Sequence, residues 1–316
     1  MKAVVAGAGI GGLTAAIALR ARGIDVEVLE AAPAPRAEGG GLGLASNATK
    51  VLAALGLDLP KAGIGQVCTG FSLRTARGAD LRELPIRAIA EELGSPVVNV
   101  RRGDLLTFLR DSLADTPVHY GARVDRYDHD TTAVRVTLAD GTVHTGDVLV
   151  GADGIRSAVR ARLTGPEPVL DHGYTCWIAT TPFTHPRLPE GGAAHYWGRG
   201  QRFGLIDVGG GRAYWWGTRN TPRRAPHRWT GGKPDILRCY DGWADEVRAV
   251  IEATPETDIL AVPAQDRAFR DTWGEGPVTL LGDAAHPMLT SLSQGAGTGS
   301  RTATRSPTTS PPDPTR

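Results

Sequence analysis

The chain has 316 residues, 41% of them hydrophobic and 22% charged, with 35 Lys and Arg against 34 Asp and Glu. That composition excludes wholesale disorder, collagen and coiled coil, and a net charge of +1 gives no electrostatic reason to bind nucleic acid or an anionic membrane. Length predicts roughly two domains, with enough core to bury about three quarters of the unfolded surface without staples.

Lys2–Ala6 is a short apolar run ending at a glycine turn, Leu13–Arg20 is rich in helix-forming Ala and Leu, and Asp25–Leu29 reads as a second strand. Strand, helix and strand in such short compass make the βαβ unit of a parallel sheet. Helices are predicted over Asn47–Leu55 and Leu105–Leu113, the latter with Asp104 as N-cap, and short strands over Thr69–Thr75 and Asp80–Pro85. Val134, Val136 and Leu138 alternate with polar residues up to Asp140-Gly141 and the pattern resumes at Val143, which predicts a β-hairpin. Asp147–Val150 is a buried strand returning to a glycine turn.

From Tyr174 the composition changes. Nine of the eighteen Phe, Trp and Tyr residues fall between Tyr174 and Trp216, in runs punctuated by glycine, which predicts a largely antiparallel sheet. A helical region follows over Ile236–Ala253, then a buried strand over Val278–Leu281. Residues Thr298–Arg316 contain no Ile, Leu, Val, Phe, Met or Trp, so they cannot bury a face and are predicted to be disordered. Cys68, Cys176 and Cys239 are widely spaced and odd in number, fitting small core residues in a reducing compartment better than disulfides or a zinc cluster. No stretch approaches the ~20 apolar residues of a membrane span, and a first strand at Lys2 leaves no room for a signal peptide, so a cytoplasmic protein is expected.

Gly7-Ala-Gly-Ile-Gly-Gly12 satisfies G-x-G-x-x-G, in which the first glycine permits the turn, the second lets backbone reach a pyrophosphate, and the third permits tight packing of helix on strand. It follows a strand, opens a helix whose N-terminus favours phosphate, and precedes Glu30 at the end of the second strand. A carboxylate there accepts hydrogen bonds from ribose hydroxyls and repels a 2′-phosphate, pointing to FAD or NAD rather than NADP. Two later motifs, Gly151-Ala-Asp-Gly-Ile-Arg-Ser157 and Gly282-Asp-Ala-Ala-His-Pro287, each follow a buried strand. Taken singly, each Asp reads as a turn or cap residue; together with the fingerprint they are far more specific.

With these motifs in this order, and with Arg36 before the Gly39–Gly43 run, Arg102-Gly-Asp-Leu105 and Gln294-Gly-Ala-Gly297, the chain resembles the single-component FAD-dependent aromatic hydroxylases of the para-hydroxybenzoate hydroxylase type. The subgroup it looks like contains urate, hydroxybenzoate and carotenoid-type oxygenases. The resemblance covers Met1 to about Gly297. It implies an α/β fold: a Rossmann-like FAD-binding domain with a parallel sheet over 1–70, 97–170 and 266–297, and a mainly antiparallel substrate domain inserted at 71–96 and 171–265.

The resemblance also implies roles. Gly7, Gly9, Ile10, Gly11 and Gly12 would meet the pyrophosphate and Glu30 the adenosine ribose. Arg36 and Arg102 would sit near the flavin phosphates or ribityl chain, and main chain at Val124 would border the adenine. Asp283 would hold the ribityl or pyrophosphate portion, Gly295 and Ala296 would offer N–H groups to the flavin ring, and Asp153 with Gly154 would serve both FAD and a visiting nicotinamide. NADH or NADPH would reduce the flavin and O₂ would add to it, the resulting hydroperoxide delivering one oxygen to an aromatic substrate, hydroxylating or epoxidising it. Arg202 and Tyr214 match substrate-facing positions in the urate-type relatives. His286 reads as structural, no acid–base residue is assigned, and a monomer or homodimer is expected.

After Gly297 the family continues into a long helix usually opened by an acidic pair, whereas here Thr298-Gly-Ser-Arg-Thr has no apolar periodicity, and Thr290 and Ser293 stand where relatives more often have Pro and Gly. A truncated or frameshifted reading frame is therefore expected. Two alternatives stay open at this point. One is a flavin-dependent halogenase or reductase on the same fold, although Trp215-Trp216 runs into Gly217-Thr218 rather than a Trp-x-Trp-x-Ile-Pro signature. The other is a non-catalytic remnant.

Overall fold

The computed structural model describes residues 1–35, 40–221, 229–289 and 294–304. The chain opens with β1 (Lys2–Ala6), in which Ala3 to Ala6 are fully buried, runs through the glycine loop into α1 (Ile10–Arg20), and returns in β2 (Asp25–Glu30) parallel to β1. β3 (Gly41–Leu44) and α2 (Ser46–Ala54) lead to β4 (Gln66–Val67) and the hairpin of β5 (Gly70–Thr75) and β6 (Asp80–Leu84). The helix α3 (Ile86–Leu93) follows, buries none of its residues and ends at Gly94 in a left-handed conformation. It lies where no helix is predicted, although Ile86, Ile89, Ala90 and Leu93 recur at helical spacing.

β7 (Val98–Arg101) feeds α4 (Arg102–Asp111), whose cap is Arg101. The helix thus starts earlier than the sequence predicts, and Asp104 lies in its first turn, where its charge favours the dipole without capping. β8 (Val118–Tyr120) extends the parallel sheet; β9 (Val124–His129), β10 (Val134–Leu138) and β11 (Val143–Gly146) form an antiparallel three-stranded sheet with the Asp140-Gly141 turn between β10 and β11. β12 (Val148–Gly151) then returns beside β1, followed by α5 (Ala158–Thr164).

The long strands β13 (Leu170–Pro182), β14 (Gly192–Gly198), β15 (Gln201–Asp207) and β16 (Arg212–Asn220) come next. The predicted helical region is two helices, α6 (Lys233–Cys239) and α7 (Asp245–Ala253), broken at Gly242 by its positive φ of 71°. β17 (Leu260–Asp266), β18 (Gly274–Glu275), β19 (Val278–Leu280) and α8 (Gly295–Ala303) complete the described chain.

The six-stranded sheet has the order β18-β19-β12-β1-β2-β8 and is parallel except at β18. One of its faces packs Val5, Leu13, Ile17, Leu52 and Leu105; the other packs Val4, Ala6, Leu29, Val136 and Val159. The seven-stranded sheet, ordered β17-β13-β16-β15-β14-β5-β6, is antiparallel except where β14 pairs with β5. Its Trp177, Tyr196, Phe203 and Trp215 bury against Ile236 of α6, Tyr240 just beyond its end, and Val247 and Ile251 of α7. The fold is therefore the expected α/β type, a Rossmann-like parallel sheet joined to a mainly antiparallel one.

The region after Gly297 corrects the sequence reading. Instead of disorder from Thr298, residues Gly295–Ala303 form α8, which packs on α1 and α2. Its buried residues are Gly297, Gly299 and Ser300, and a Cβ on Gly299 would lie 3.8 Å from Gly11 and 3.6 Å from Gly282. Helix packing here rests on close backbone approach rather than large apolar side chains, so a search for apolar periodicity misses it. The rest of the tail, Arg36, Thr290 and Ser293 lie outside the described residues.

Candidate active site

Gly7 has a φ of 106°, and a Cβ there would lie 2.3 Å from the carbonyl oxygen of Ala152; a Cβ on Gly9, in contrast, would meet no other part of the chain within 4 Å. Gly9 is the N-cap of α1 and offers no side chain to the first N–H groups, which leaves bare donors at the positive end of a helix facing open space. Such a terminus suits a pyrophosphate. Glu30 closes the loop from behind: its Oε2 accepts from Ala8 N at 2.8 Å and its Oε1 from Ala32 N at 2.7 Å. Val124 begins the segment beside it, because Ala122 N donates to Glu30 O at 2.9 Å, and its side chain is buried in the apolar cluster around Val136.

The second glycine turn behaves differently from the expectation for Asp153. Its carboxylate accepts from Ala158 N at 2.8 Å, from Val159 N at 3.3 Å and from the Ser157 hydroxyl, capping α5. Burial pushes the Asp153 carboxyl up, against those hydrogen bonds. Ala152 and Gly154 are the members of the motif that border the cavity.

The third turn carries Asp283, whose carboxyl burial pushes up while the charges of His286 and Arg102 pull it down. Arg160, 1% exposed, holds this turn by donating to Ala284 O at 3.0 Å and Ala285 O at 2.9 Å. His286 stands behind it, with Nε2 3.3 Å from the Thr302 hydroxyl of α8.

Gly9, Gly154, Asp283 and Gly295, from four separate stretches of chain, border a single cavity of about 750 Å³ that continues along the seven-stranded sheet. That volume falls within the ~300–1,000 Å³ range of cofactor and ligand pockets. Period-two alternation decides what faces it. On β14, Tyr196 points to the α6–α7 core and His195 to the cavity; on β16, Trp215 goes to the core, Tyr214 and Trp216 to the cavity. Tyr214 packs so closely on the incoming chain that a Cβ on Gly41 would lie 2.6 Å from its Cβ.

Of the predicted residues, Gly9, Ile10, Gly11, Arg102, Gly154, Asp283, Gly295, Ala296 and Tyr214 line this cavity. Gly7 and Gly12 shape the loop from beneath; Glu30, Val124 and Asp153 stand outside its walls. Arg202 is not among the residues that border the cavity; its guanidinium lies 5.7 Å from the Trp216 ring centroid.

The sequence points to the aromatic-rich sheet from Tyr174 to Trp216 as the wall of the pocket, without singling out several residues that form it. His195 is one, on β14, a strand the sequence did not announce. It packs edge-on against Trp216 and Phe71, and burial, aided by the nearby Arg202 charge, pulls its imidazole down to about 4. Tyr174 is another, and its buried hydroxyl has no hydrogen-bond partner among the described residues. Cys68 and Cys176 line the cavity as unpaired thiols, Cys176 pushed up by burial to about 12, which leaves it protonated and unreactive.

Comparison with known proteins agrees with this geometry. The profile described as FAD binding domain matches residues 1–305. Aurachin C monooxygenase/isomerase of Stigmatella aurantiaca is 36% identical over 296 residues, covering 92% of this chain and 76% of that protein. The chloroplastic zeaxanthin epoxidase of Nicotiana plumbaginifolia is 37% identical over 305 residues, 93% of this chain but 46% of the epoxidase. The Klebsiella pneumoniae HpxO structure complexed with FAD and uric acid superposes with a TM-score of 0.87 at 29% identity, covering 96% of this chain and 78% of that one. An open helix terminus, a glycine cradle and a long cavity fit FAD. The chain belongs to the FAD binding domain family and is an FAD-dependent monooxygenase.

Proposed function

We propose that the chain inserts one oxygen atom of O₂ into an aromatic or polycyclic small molecule, as hydroxylation or epoxidation, with NADH or NADPH as electron donor. The observation that carries this reading is the continuity of the cavity, from the bare terminus of α1 past Asp283 to the apolar and aromatic face of β13, β14 and β16. FAD, when bound, supplies the acceptor of the nicotinamide's electrons and the activation of O₂.

The chain's own residues bind, orient and keep water out. Gly9 to Gly12 would receive the pyrophosphate, Glu30 and the main chain at Val124 the adenosine end, and Asp283, Arg102, Gly295 and Ala296 the ribityl and ring portion. Gly154 borders the same space, and Asp153 acts by holding the turn that presents it. Tyr214 and Trp216 form the wall against which a flat substrate lies, with Arg202 stacked on Trp216. A neutral His195 and the Tyr174 hydroxyl are among the polar groups on this wall that can orient a substrate hydroxyl or carbonyl. An imidazole pulled down to about 4 does not hold a proton at neutral pH, so His195 positions and does not protonate. Three unpaired thiols support a cytoplasmic setting, with the chain acting as monomer or homodimer.

Purified protein loaded with FAD tests this. NADH or NADPH bleaches the flavin without oxygen, air restores it, and one member of a panel of phenols, purines and polyketides accelerates nicotinamide oxidation and gains an oxygen atom. Bleaching and recovery with no oxygenated product from any panel member would leave a reductase instead.

A further inference from the structure

A second cluster of chemistry-bearing side chains lies away from the cavity. Glu27 on β2, His119 on β8 and His144 on β11 come from three strands of two different sheets, and their ligand atoms all lie within 4.8 Å of one another. One carboxylate oxygen is shared: Glu27 Oε2 stands 3.2 Å from His144 Nδ1 and 3.5 Å from His119 Nε2. The two imidazole centroids are 5.1 Å apart. Glu27 is 8% exposed, and its other oxygen, Oε1, is 2.9 Å from Lys2 Nζ.

Hydrogen bonding accounts for part of this arrangement only. An N–H···O bond spans about 2.7–3.2 Å, which fits His144 and leaves His119 too far. A tetrahedral ion bound at about 2.0–2.1 Å to nitrogen and oxygen sets neighbouring ligand atoms about 3.3–3.4 Å apart, between the two distances seen here. Lys2 then has the place of an outer partner, turning the carboxylate so that Oε2 faces both imidazoles. Neutral imidazoles bind without losing a proton, each ring carrying its N–H on the nitrogen away from the ion.

We infer that Glu27, His119 and His144 form a binding site for a zinc-class divalent cation, with water completing the tetrahedron. The ion ties β8 and β11 to β2, joining the three-stranded sheet to the parallel sheet on the strand that ends at Glu30. None of the three residues lines the cavity, so the site clamps the fold and takes no part in the oxygenation.

Tag-free, FAD-loaded full chain, stripped with chelator and titrated with ZnCl₂ by calorimetry, takes up one equivalent, and the ion raises its melting temperature. CoCl₂ in place of zinc gives tetrahedral d–d bands in the red, beyond the flavin's absorption. His119→Ala, at an exposed ring, keeps its flavin and its nicotinamide oxidation and binds zinc at least about tenfold more weakly, since loss of outer-shell partners alone costs about 10–100-fold. His144→Ala gives the same loss. Absence of uptake, cobalt bands of octahedral type, or both variants binding as tightly as the parent would overturn the site.

Discussion

The backbone of Gly12 passes so close to Gly7 that a Cβ on Gly12 would lie 2.0 Å from the Gly7 carbonyl oxygen, whereas a Cβ on Gly9 would meet nothing within 4 Å. The glycines of one motif therefore answer to two constraints. Gly12→Ala forces α1 away from the turn and destabilises the apoprotein by about 1–3 kcal/mol, with loss of flavin following. Gly9→Ala leaves the apoprotein's melting temperature unchanged and lowers flavin content, because the methyl occupies only the space a phosphate needs. Melting curves and flavin-to-protein absorbance ratios of both variants separate the two effects; equal destabilisation would refute the distinction.

Arg160 is a buried cation placed behind the site. It donates to Ala284 O and Ala285 O, to Ala268 O at 3.0 Å, and from Nε to Glu167 Oε2 at 2.8 Å. Arg160→Met orphans those carbonyls and leaves Glu167, among the described residues, with Arg270 alone as its ion partner, at a cost of about 3–5 kcal/mol. The Asp283 turn loosens, so FAD dissociation accelerates more than the loss of global stability alone explains. Stopped-flow flavin release measured beside a chemical melt checks this.

Acid acts on two buried groups in different pH windows. His195 is depressed from 6.5 to about 4, so between those values the unfolded chain binds more protons than the folded one and stability falls as pH drops through that window. His195→Phe removes this component. Glu246 lies below its usual 4.5: burial pushes it up, but its own backbone N–H, the Tyr196 hydroxyl and Arg187 outweigh that. Its contribution is present above pH 4.5 and is lost as pH falls through the lower folded value. Glu246→Gln is less stable at neutral pH, and its melting temperature declines less below pH 4.5; melts across the pH range distinguish the two variants.

Tyr214 closes the wall where the chain at Gly40 and Gly41 crosses the sheet. Tyr214→Ala opens that wall to water, so nicotinamide oxidation continues while product per nicotinamide drops severalfold and hydrogen peroxide makes up the difference. Tyr214→Phe keeps the ring and stays coupled. An alanine variant that remains coupled would place the substrate elsewhere in the cavity.

Local signals carried the nucleotide end of the molecule. Gly7 to Gly12 between two strands, Glu30 at the end of the second, and glycine turns after two more buried strands each follow from chain neighbours, so they are legible one segment at a time. The β10–β11 hairpin, with Asp140-Gly141, is of the same kind. The break between α6 and α7 was less visible, because a single glycine marks it. The exposed helix α3 did leave a signal, Ile86, Ile89, Ala90 and Leu93 at helical spacing, but over two turns only.

What the sequence by itself determined is the fold class and the identity of the motifs, because backbone conformation and strand or helix periodicity are properties of contiguous residues. Only the tertiary structure decided which groups share a space. It turned Asp153 toward the N-terminus of α5, stacked Arg202 on Trp216, brought His195 to the wall, and seated the glycine-rich α8 on Gly11 and Gly282. Those outcomes depend on strand register and on close approach between segments far apart in the chain, and a one-residue shift in the register of a strand would have turned that strand's side chains to the opposite face.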